Sequence, residues 1–253
     1  MRQLSSSALQ AYRLQEASSV KLPYMGLGLA LVALAVTIAA FKLPPIPEAQ
    51  RSGSAPLPGA KTSVWHYRHL VLGAVAIFVY VGAEVAIGSF LVNYFYQPEI
   101  GDLPANVGAR FVSFYWGGAM VGRFVGSAIL QRVRAGVLLG SAAAAACLLV
   151  CLSILTTGPI AMWSIILVGF FNSVMFPNIF TLAIMGLGPL TGAGSGVLVT
   201  AIVGGAVIPV LQGMLADHIG IHHAFVLPAV CYLYIIFYAL VGSKQGEVAN
   251  HKE

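Results

Sequence analysis

Long apolar stretches separated by short polar segments dominate the pattern of this 253-residue chain. A helix needs roughly 20 apolar residues to cross the ~30 Å hydrocarbon core of a bilayer, because each residue adds only ~1.5 Å. Stretches of that length recur along the chain, and each predicts a transmembrane helix. They cover residues 22–43, 68–96, 108–131, 135–156, 159–187, 193–216 and 223–242.

A polar segment divides this pattern into one helix followed by six. Its sequence, PPIPEAQRSGSAPLPGAK, is rich in proline, glycine and serine and carries charges of both signs, as is typical of a linker. The pattern predicts an all-α membrane protein of about seven transmembrane helices. Its parts are an outer segment with the first helix (1–43), a cytoplasmic linker (44–67), a six-helix domain (68–243) and a cytoplasmic tail (244–253).

The composition excludes a soluble fold. The chain is 58% hydrophobic and 8% charged, with a mean hydropathy of +0.88, whereas soluble domains are about 45–50% apolar and about 25% charged. A water-soluble domain of this length has too little interior to bury so much apolar surface, so lipid must surround most of the chain. The net charge of +5 does not predict nucleic-acid binding, because the basic residues lie mostly between the apolar stretches.

Basic residues occupy every second connection between the predicted helices. The positive-inside rule therefore places those connections and the C-terminus in the cytoplasm. The opposite connections are acidic. The basic residues are Lys42, Arg51, Lys61 and Arg68 around the linker, Arg132 and Arg134 in the next turn, and Lys244 and Lys252 in the tail; the acidic ones are Glu99, Asp102 and Asp217.

The opening segment disagrees with this orientation. With seven helices, residues 1–20 would lie outside, yet they carry Arg2 and Arg13 against a single carboxylate, Glu16. Such a segment is expected in a chain whose earlier helices are missing, where it would be the loop before a sixth helix.

Glu84 is the carboxylate that lies deepest in an apolar stretch, within VYVGAEVAIGSF. A charge at the bilayer centre costs at least about 2.5–3.5 kcal/mol. The cost is offset if Glu84 faces a water-filled cavity, where it binds ligand hydroxyls or exchanges a proton; a structural ion pair or a neutral buried side chain is the alternative. Tyr80 lies one turn earlier on the same face, with Gly88 one turn later. The Tyr80 ring can stack on a hexose, although a packing role for this tyrosine fits equally.

Two amides, Asn172 and Asn178, lie at membrane depth in GFFNSVMFPNIF. Unsatisfied amides are costly there, so they bind a ligand or bond across helices, and the pattern does not separate the two roles. Pro177 cannot donate to the carbonyl of Ser173, which predicts a kink of the kind that opens polar sites in transporters.

Arg123 lies in MVGRFVGSAILQRVR, close enough to the predicted cytoplasmic end to snorkel. An inner-gate contact and a plain topology signal are both consistent with this position. The glycines at 118, 122 and 126 recur every four residues and favour close helix packing.

Motifs of enzymes and metal sites are absent from the sequence. It contains no Walker loop, HExxH or CxxC spacing and no paired catalytic carboxylates, so we expect neither an enzyme nor a bound cofactor or metal. The cysteines fall within apolar stretches, as small hydrophobic residues do. The cluster His218, His222 and His223 is interpreted as loop residues.

Several long blocks carry a family resemblance. They are FVYVGAEVAIGSFLVNYF, YWGGAMVGRFVGS, GFFNSVMFPNIFTLAIMGLG and AIVGGAVIPVLQGMLADHIGIHHAFVLPAVCYLYIIFYAL. These blocks closely resemble the bacterial glucose/galactose transporters and the fucose/proton symporters of the major facilitator superfamily. The resemblance runs from about Leu9 to Leu240.

This resemblance implies twelve helices in two halves of six, with substrate bound near midplane between them. The chain would supply helices six to twelve, so its first helix would be the last of the N-terminal half. Its second and fifth helices, which hold Glu84 and Asn172, would be the cavity-lining helices seven and ten.

The resemblance also bears on individual residues. Fucose symporters of this group have a glutamine where this chain has Glu84, which favours sugar recognition over proton transfer; the coupling carboxylates of that symporter belong to the first half. GRFVGSAILQR resembles the superfamily's cytoplasmic Gly-Arg loop, but Gly122 replaces the acidic residue usual before the arginine.

We therefore expect secondary active transport of a hexose of the glucose, galactose or fucose class, coupled to a proton or sodium. Tyr80, Glu84, Asn172 and Asn178 would form this chain's half of the site, with Arg123 as inner gate. Expected partners are the sugar, the cation, membrane lipid and the missing N-terminal half, in a bacterial inner membrane. A non-transporting fragment and a receptor-like or structural subunit are the alternatives.

Overall fold

The computed structural model describes residues 21–22, 25–26, 28–34, 36–37 and 63–243. These residues fall into two units, divided between residues 57 and 58. The described residues of the first unit are helical and exposed, and they lie within the first predicted transmembrane helix. The predicted outer segment, most of the linker and the tail lie outside the described residues.

The described part of the second unit is a helical bundle. A 3₁₀ turn, Val64–His66, precedes the first long helix, a second, Gly188–Leu190, precedes α6, and a π-helix, Tyr238–Gly242, follows α9. The α-helices are α1 Arg68–Phe95, α2 Ala105–Leu130, α3 Ala135–Leu155, α4 Gly158–Asn172, α5 Met175–Ile184, α6 Thr191–Ala201, α7 Gly204–Ile219, α8 Ile221–Ala224 and α9 Val226–Phe237.

These helices combine into the spans that the sequence predicts. In the described part, five stretches are long and apolar enough to cross a membrane, and α2, with 26 residues, is a sixth long helix that carries Arg110 and Arg123. The five are Arg68–Phe95, Ala135–Leu155, Gly158–Ile184, Gly188–Ile219 and Ile221–Gly242.

The largest disagreement between predicted and observed ends is at one helix start. That helix was expected from residue 193, but it begins at Gly188 because a proline, Pro189, occupies its first turn. A proline is tolerated there, since the N–H that it lacks has no intrahelical partner.

Helix α1 lies at the centre of the bundle. It packs against α2, α5, α6, α7 and α9, and side chains such as Ile77 and Ile87 are fully buried. Its closest neighbour is α7, where Gly204 lies against the backbone of Phe78, and Ile208 lies against Gly82. The pairing advances in the same direction along both helices, so α1 and α7 run parallel.

Hydrogen bonds join the helix ends on each side of the bundle. On one side the Gly158 amide donates to the Glu99 carbonyl (2.8 Å). On the other side a ring nitrogen of His69 lies 2.9 Å from the carbonyl oxygen of Met185. The carboxylates Glu99, Asp102 and Asp217 belong to the first side, and Arg68, Arg132 and Arg134 belong to the second. Apart from Arg110, which lies in the second turn of α2 on the first side, this charge distribution is the one that the predicted orientation requires.

The predicted histidine loop is wrong. His218 lies in α7, while His222 and His223 lie in α8, so all three are helical. The chain reverses at a single residue, Gly220, whose φ of 84° suits glycine and leaves both flanks free to stay helical.

The glycine stripe of α2 is a packing surface, as predicted. Gly118 lies beside Phe170, and a Cβ on Gly122 would collide with the Phe170 carbonyl oxygen and with the Ser173 hydroxyl. A Cβ on Gly126 would collide with Val174. The stripe therefore sets the close approach of α2 to α4 and to the segment that joins α4 to α5.

Replacing Gly122 by alanine is expected to lower the thermal unfolding midpoint of the detergent-solubilised chain. Overpacking typically costs about 1–3 kcal/mol, which exceeds the ~1 kcal/mol that alanine gains over glycine in a helix. Gly117→Ala is the matched control, because nothing lies within 4 Å of a Cβ on that glycine. The fraction of monomer recovered after heating gives the unfolding midpoint of each variant. Equal midpoints would contradict the packing role of Gly122.

Candidate substrate site

A cavity of about 470 Å³ opens between α1, α2, α5 and the junction of α6 with α7. Three of the predicted site residues, Tyr80, Glu84 and Arg123, lie together in its wall. The complete lining is Tyr80, Val81, Glu84, Arg123, Phe176, Pro177 and Ile202.

Glu84 supplies the negative charge of this cavity. Its side chain is half-buried on α1, one turn beyond Tyr80, and it interacts with the Tyr80 hydroxyl and with the positive charge of Arg123 on α2. The wall thus presents a carboxylate acceptor, a guanidinium donor and an aromatic ring. Such an arrangement suits a polyhydroxylated ligand, because hydroxyls both donate and accept hydrogen bonds.

Asn172, at the end of α4, lies beside this cavity as a fully buried hydrogen-bonding centre. Its Nδ2 donates to the Tyr115 hydroxyl (2.9 Å), and its Oδ1 accepts from the Tyr232 hydroxyl (2.7 Å). Its backbone carbonyl accepts from the Tyr80 hydroxyl (2.9 Å). In this conformation Asn172 joins α1, α2 and α9 to α4, which is the helix-bridging role of the two that the sequence left open.

The Tyr80 hydroxyl connects the buried centre to the cavity. It donates to Asn172 and also lies within interaction range of Glu84. Because a hydroxyl has one proton to donate, it serves only one of these acceptors at a time. In this structure the proton is donated to the Asn172 carbonyl.

Asn178 is placed differently from the other candidates. It is buried, and its Nδ2 donates to the Val174 carbonyl of its own helical segment (2.7 Å). It is absent from the cavity lining. Asn178 therefore stabilises the first turn of α5, next to Pro177.

Two spans are interrupted at the level of the cavity. One break lies at Ser173 and Val174 between α4 and α5, with Pro177 in the first turn of α5, at the place where the sequence predicts a kink. The second lies at Ile202 and Val203, between α6 and α7. Pro209 does not cause this second break, since α7 continues through it.

Aromatic rings form part of the cavity wall. The Phe176 ring lies 6.3 Å from that of Tyr80, at an interplanar angle of 52°, and it also stacks on the ring of Phe180. An aromatic wall beside a carboxylate offers a sugar both an apolar surface and a hydrogen-bond partner.

Sequence reasoning missed five of these residues: Val81, Phe176 and Ile202 in the lining, and Tyr115 and Tyr232 as partners of Asn172. A hydroxyl at membrane depth needs a partner, which was a usable signal for the tyrosines. With 10 tyrosines in the chain, that signal did not indicate which of them meet.

No metal site is found among the described residues, which hold no group of three or more His, Cys, Asp or Glu suited to a metal. His222 instead lies 2.8 Å from the Ser153 carbonyl oxygen, and the Ser153 hydroxyl is 2.8 Å from the hydroxyl of Tyr94. This cluster joins the ends of α1, α3 and α8.

Comparisons with known proteins place this geometry in a family context. No protein-family model matches the chain. A glucose/galactose transporter of Brucella abortus is 51% identical over 239 residues, which cover 94% of this chain and 57% of the relative. A putative glucose/galactose transporter of Helicobacter pylori is 43% identical over 240 residues, with 93% and 57% covered. The chain thus spans little more than half the length of these relatives.

A solved structure shares the fold. The major facilitator superfamily transporter FucP, in its outward conformation, matches with a TM-score of 0.74 and 28% identity over 94% of this chain and 58% of that protein. The described bundle therefore has the fold of one half of a major facilitator transporter. In sequence and fold, the chain corresponds to the C-terminal part of bacterial glucose/galactose transporters and fucose/proton symporters of that superfamily.

Replacing Asn172 by alanine is expected to destabilise the bundle, because the Tyr232 hydroxyl loses its acceptor. Cross-helix hydrogen bonds in membrane proteins contribute about 0.6 kcal/mol on average and up to about 1.7. A double-mutant cycle of Asn172→Ala with Tyr232→Phe, followed by denaturant unfolding in detergent, should give a coupling in that range.

Asn178→Ala paired with the same Tyr232→Phe is the control. Asn178 bonds within its own segment, so its coupling to Tyr232 is expected to be zero within error. Equal coupling for both asparagines would refute the bridging role of Asn172.

Proposed function

We propose that this chain forms the C-terminal half of a secondary transporter that moves a hexose by alternating access. The observation that carries the proposal is the cavity in which Tyr80, Glu84 and Arg123 meet beside two interrupted helices. Transporters bind substrate near midplane at discontinuous helices, and two halves rock around that point.

The chemistry of the cavity favours a sugar as the substrate. Glu84 accepts hydrogen bonds from hydroxyls, Arg123 donates them, and the rings of Tyr80 and Phe176 cover the apolar face of the pyranose. The names of the relatives, glucose/galactose transporter and L-fucose-proton symporter, support a hexose of this class. Asn172 holds Tyr80 in position, and Asn178 shapes the helix start beside Pro177.

The N-terminal half of the site comes from residues outside this chain. The relatives are longer, with 57% of their length covered, and Arg123, Pro177 and Ile202 of the cavity wall are exposed. A second chain, or the rest of a longer protein, would cover these residues and complete the binding site.

Arg123 acts as an inner gate in this proposal. Its Cα is seven residues from the end of α2, or ~10 Å from that end, on the side where Arg68, Arg132 and Arg134 lie. The guanidinium then holds Glu84 from the arginine-rich side and closes the cavity there while the opposite side is open.

The coupling ion in this proposal is a proton, with sodium as the alternative that the experiment tests. The proton is supported by the relatives named L-fucose-proton symporter, one of which, from Escherichia coli, is 28% identical. The protein lies in a bacterial inner membrane with its C-terminus in the cytoplasm, as the distribution of arginines supports.

Uptake of radiolabelled glucose and galactose by a host that lacks hexose transport tests the function. We expect uptake when this chain is expressed together with the N-terminal part of the Brucella relative, and none from either piece alone. The Brucella protein split at the same position is the positive control. Transport by this chain alone would disprove the half-site; failure of the pair beside a working split control would favour a non-transporting fragment.

Glu84→Gln, tested in the transporting pair, is expected to raise the apparent KM for sugar roughly tenfold or more, because a hydrogen bond to a charged group contributes about 1.5–3 kcal/mol. Glu99→Gln is the matched control, since Glu99 is exposed in the loop after α1. An unchanged KM in Glu84→Gln would remove Glu84 from the sugar site.

A protonophore is expected to abolish sugar accumulation by the pair, while replacement of sodium by choline leaves accumulation unchanged. The opposite pattern would assign the coupling to sodium. Exchange of labelled for unlabelled sugar measures binding and translocation without net coupling, and it is expected to persist under both treatments.

A further inference from the structure

A second cavity, of about 340 Å³, lies between α2, α3 and the junction of α4 with α5. One face of α2 contributes Gly122, Val125, Gly126 and Ile129, which are spaced as one helical stripe. Arg123 is absent from this lining and lies in the wall of the first cavity. The two linings share no residue, so the cavities are separate.

The walls of this crevice are apolar. Ser141 is the one residue with a polar side chain in its lining, and its hydroxyl donates to the Leu138 carbonyl of its own helix (3.0 Å). Phe170, Phe171 and Val174 form the wall opposite α2 and α3. A hydrocarbon chain fits such a lining, whereas a sugar would find no hydrogen-bond partner there.

Two arginines lie at one end of the crevice. Ile129 and Leu138 of its lining flank the turn that holds Arg132 and Arg134, and backbone bonds fix that turn: the Arg132 amide donates to Ile129 (2.9 Å), and the Leu138 amide to Arg134 (3.0 Å). Both arginine side chains are exposed.

No carboxylate balances these arginines within the helices that line the crevice. Residues 105–155 contain Arg110, Arg123, Arg132 and Arg134 and neither aspartate nor glutamate. An apolar crevice that ends at an unbalanced pair of guanidinium groups is complementary to a molecule with a hydrocarbon tail and an anionic head. Basic pockets between transmembrane helices bind phospholipid head groups in this way.

We propose that this crevice is a binding site for an anionic phospholipid, with an acyl chain between α2 and α3 and the phosphate on Arg132 and Arg134. The acyl chain would contact Val174, in the break between α4 and α5. Phe176 and Pro177, just beyond that break, line the sugar cavity. The lipid would thus contact the interrupted helix from the side opposite to the sugar.

Native mass spectrometry of the purified chain tests this site with phosphatidylglycerol and phosphatidylcholine of identical acyl chains. We expect the chain to retain phosphatidylglycerol preferentially. Arg132→Gln with Arg134→Gln should weaken that preference roughly fivefold per arginine and roughly 30-fold together. Arg110→Gln, in α2 but outside the crevice lining, should leave that preference unchanged.

A second pair of variants tests the acyl-chain site. Ala145→Phe, which fills the crevice, should remove the retained lipid, while Ala144→Phe, whose position is outside the lining, should not. If Ala145→Phe fails to give monodisperse protein, Ser141→Leu fills the same space.

Equal retention of the two lipids by the unmodified chain would overturn the proposal, as would equal retention by the two alanine variants. Binding of glycerol phosphate alone at comparable strength would also overturn it, because it would reduce the site to a free-phosphate site. If the unmodified chain forms dimers and Ala145→Phe converts them to monomers, a second copy of the chain fills the crevice in place of the lipid, which would also overturn the proposal.

Discussion

The hydrogen bonds around Asn172 are the constraint on which the rest of this bundle depends. In lipid there is no water to satisfy a buried amide, so its bonds must come from the protein itself. Tyr80, Tyr115 and Tyr232 provide them from α1, α2 and α9. The end of α4 is thereby fixed against three other helices just where its span is interrupted, before α5 begins at Met175.

The cavity follows from that arrangement. Because α4 ends at Asn172, the first turn of α5 brings Phe176 and Pro177 toward α1. The glycine stripe of α2 allows it to approach closely from the other side, so Arg123 reaches the wall that holds Glu84. Apolar packing contacts between the helices thus bring the polar side chains of the cavity together. The site and the close packing of the helices depend on the same residues.

Much of the architecture was predictable from the sequence, because bilayer thickness fixes the length of each span. The helix break near Pro177 and the packing role of Gly122 follow from the residues themselves, because proline lacks a backbone N–H and glycine lacks a side chain. The partners of Asn172 were not predictable, since Tyr115 and Tyr232 are 57 and 60 residues away in the chain. The break at Ile202 contains no proline that would predict it. The chain reverses at the single residue Gly220, which leaves no polar loop between the two helices for sequence reasoning to detect.

The placement of Glu84 opposite Arg123 has an electrical consequence. A charge that moves through the membrane potential gains or loses about 2.3 kcal/mol per 100 mV. A carboxylate and a guanidinium that share one cavity wall carry no net charge, and a rocking motion that carries both together transfers none across the field. In the proposed transport cycle, the pair of Glu84 and Arg123 therefore adds no electrical work to a reorientation around a neutral sugar, and the voltage dependence of uptake would come from other charges.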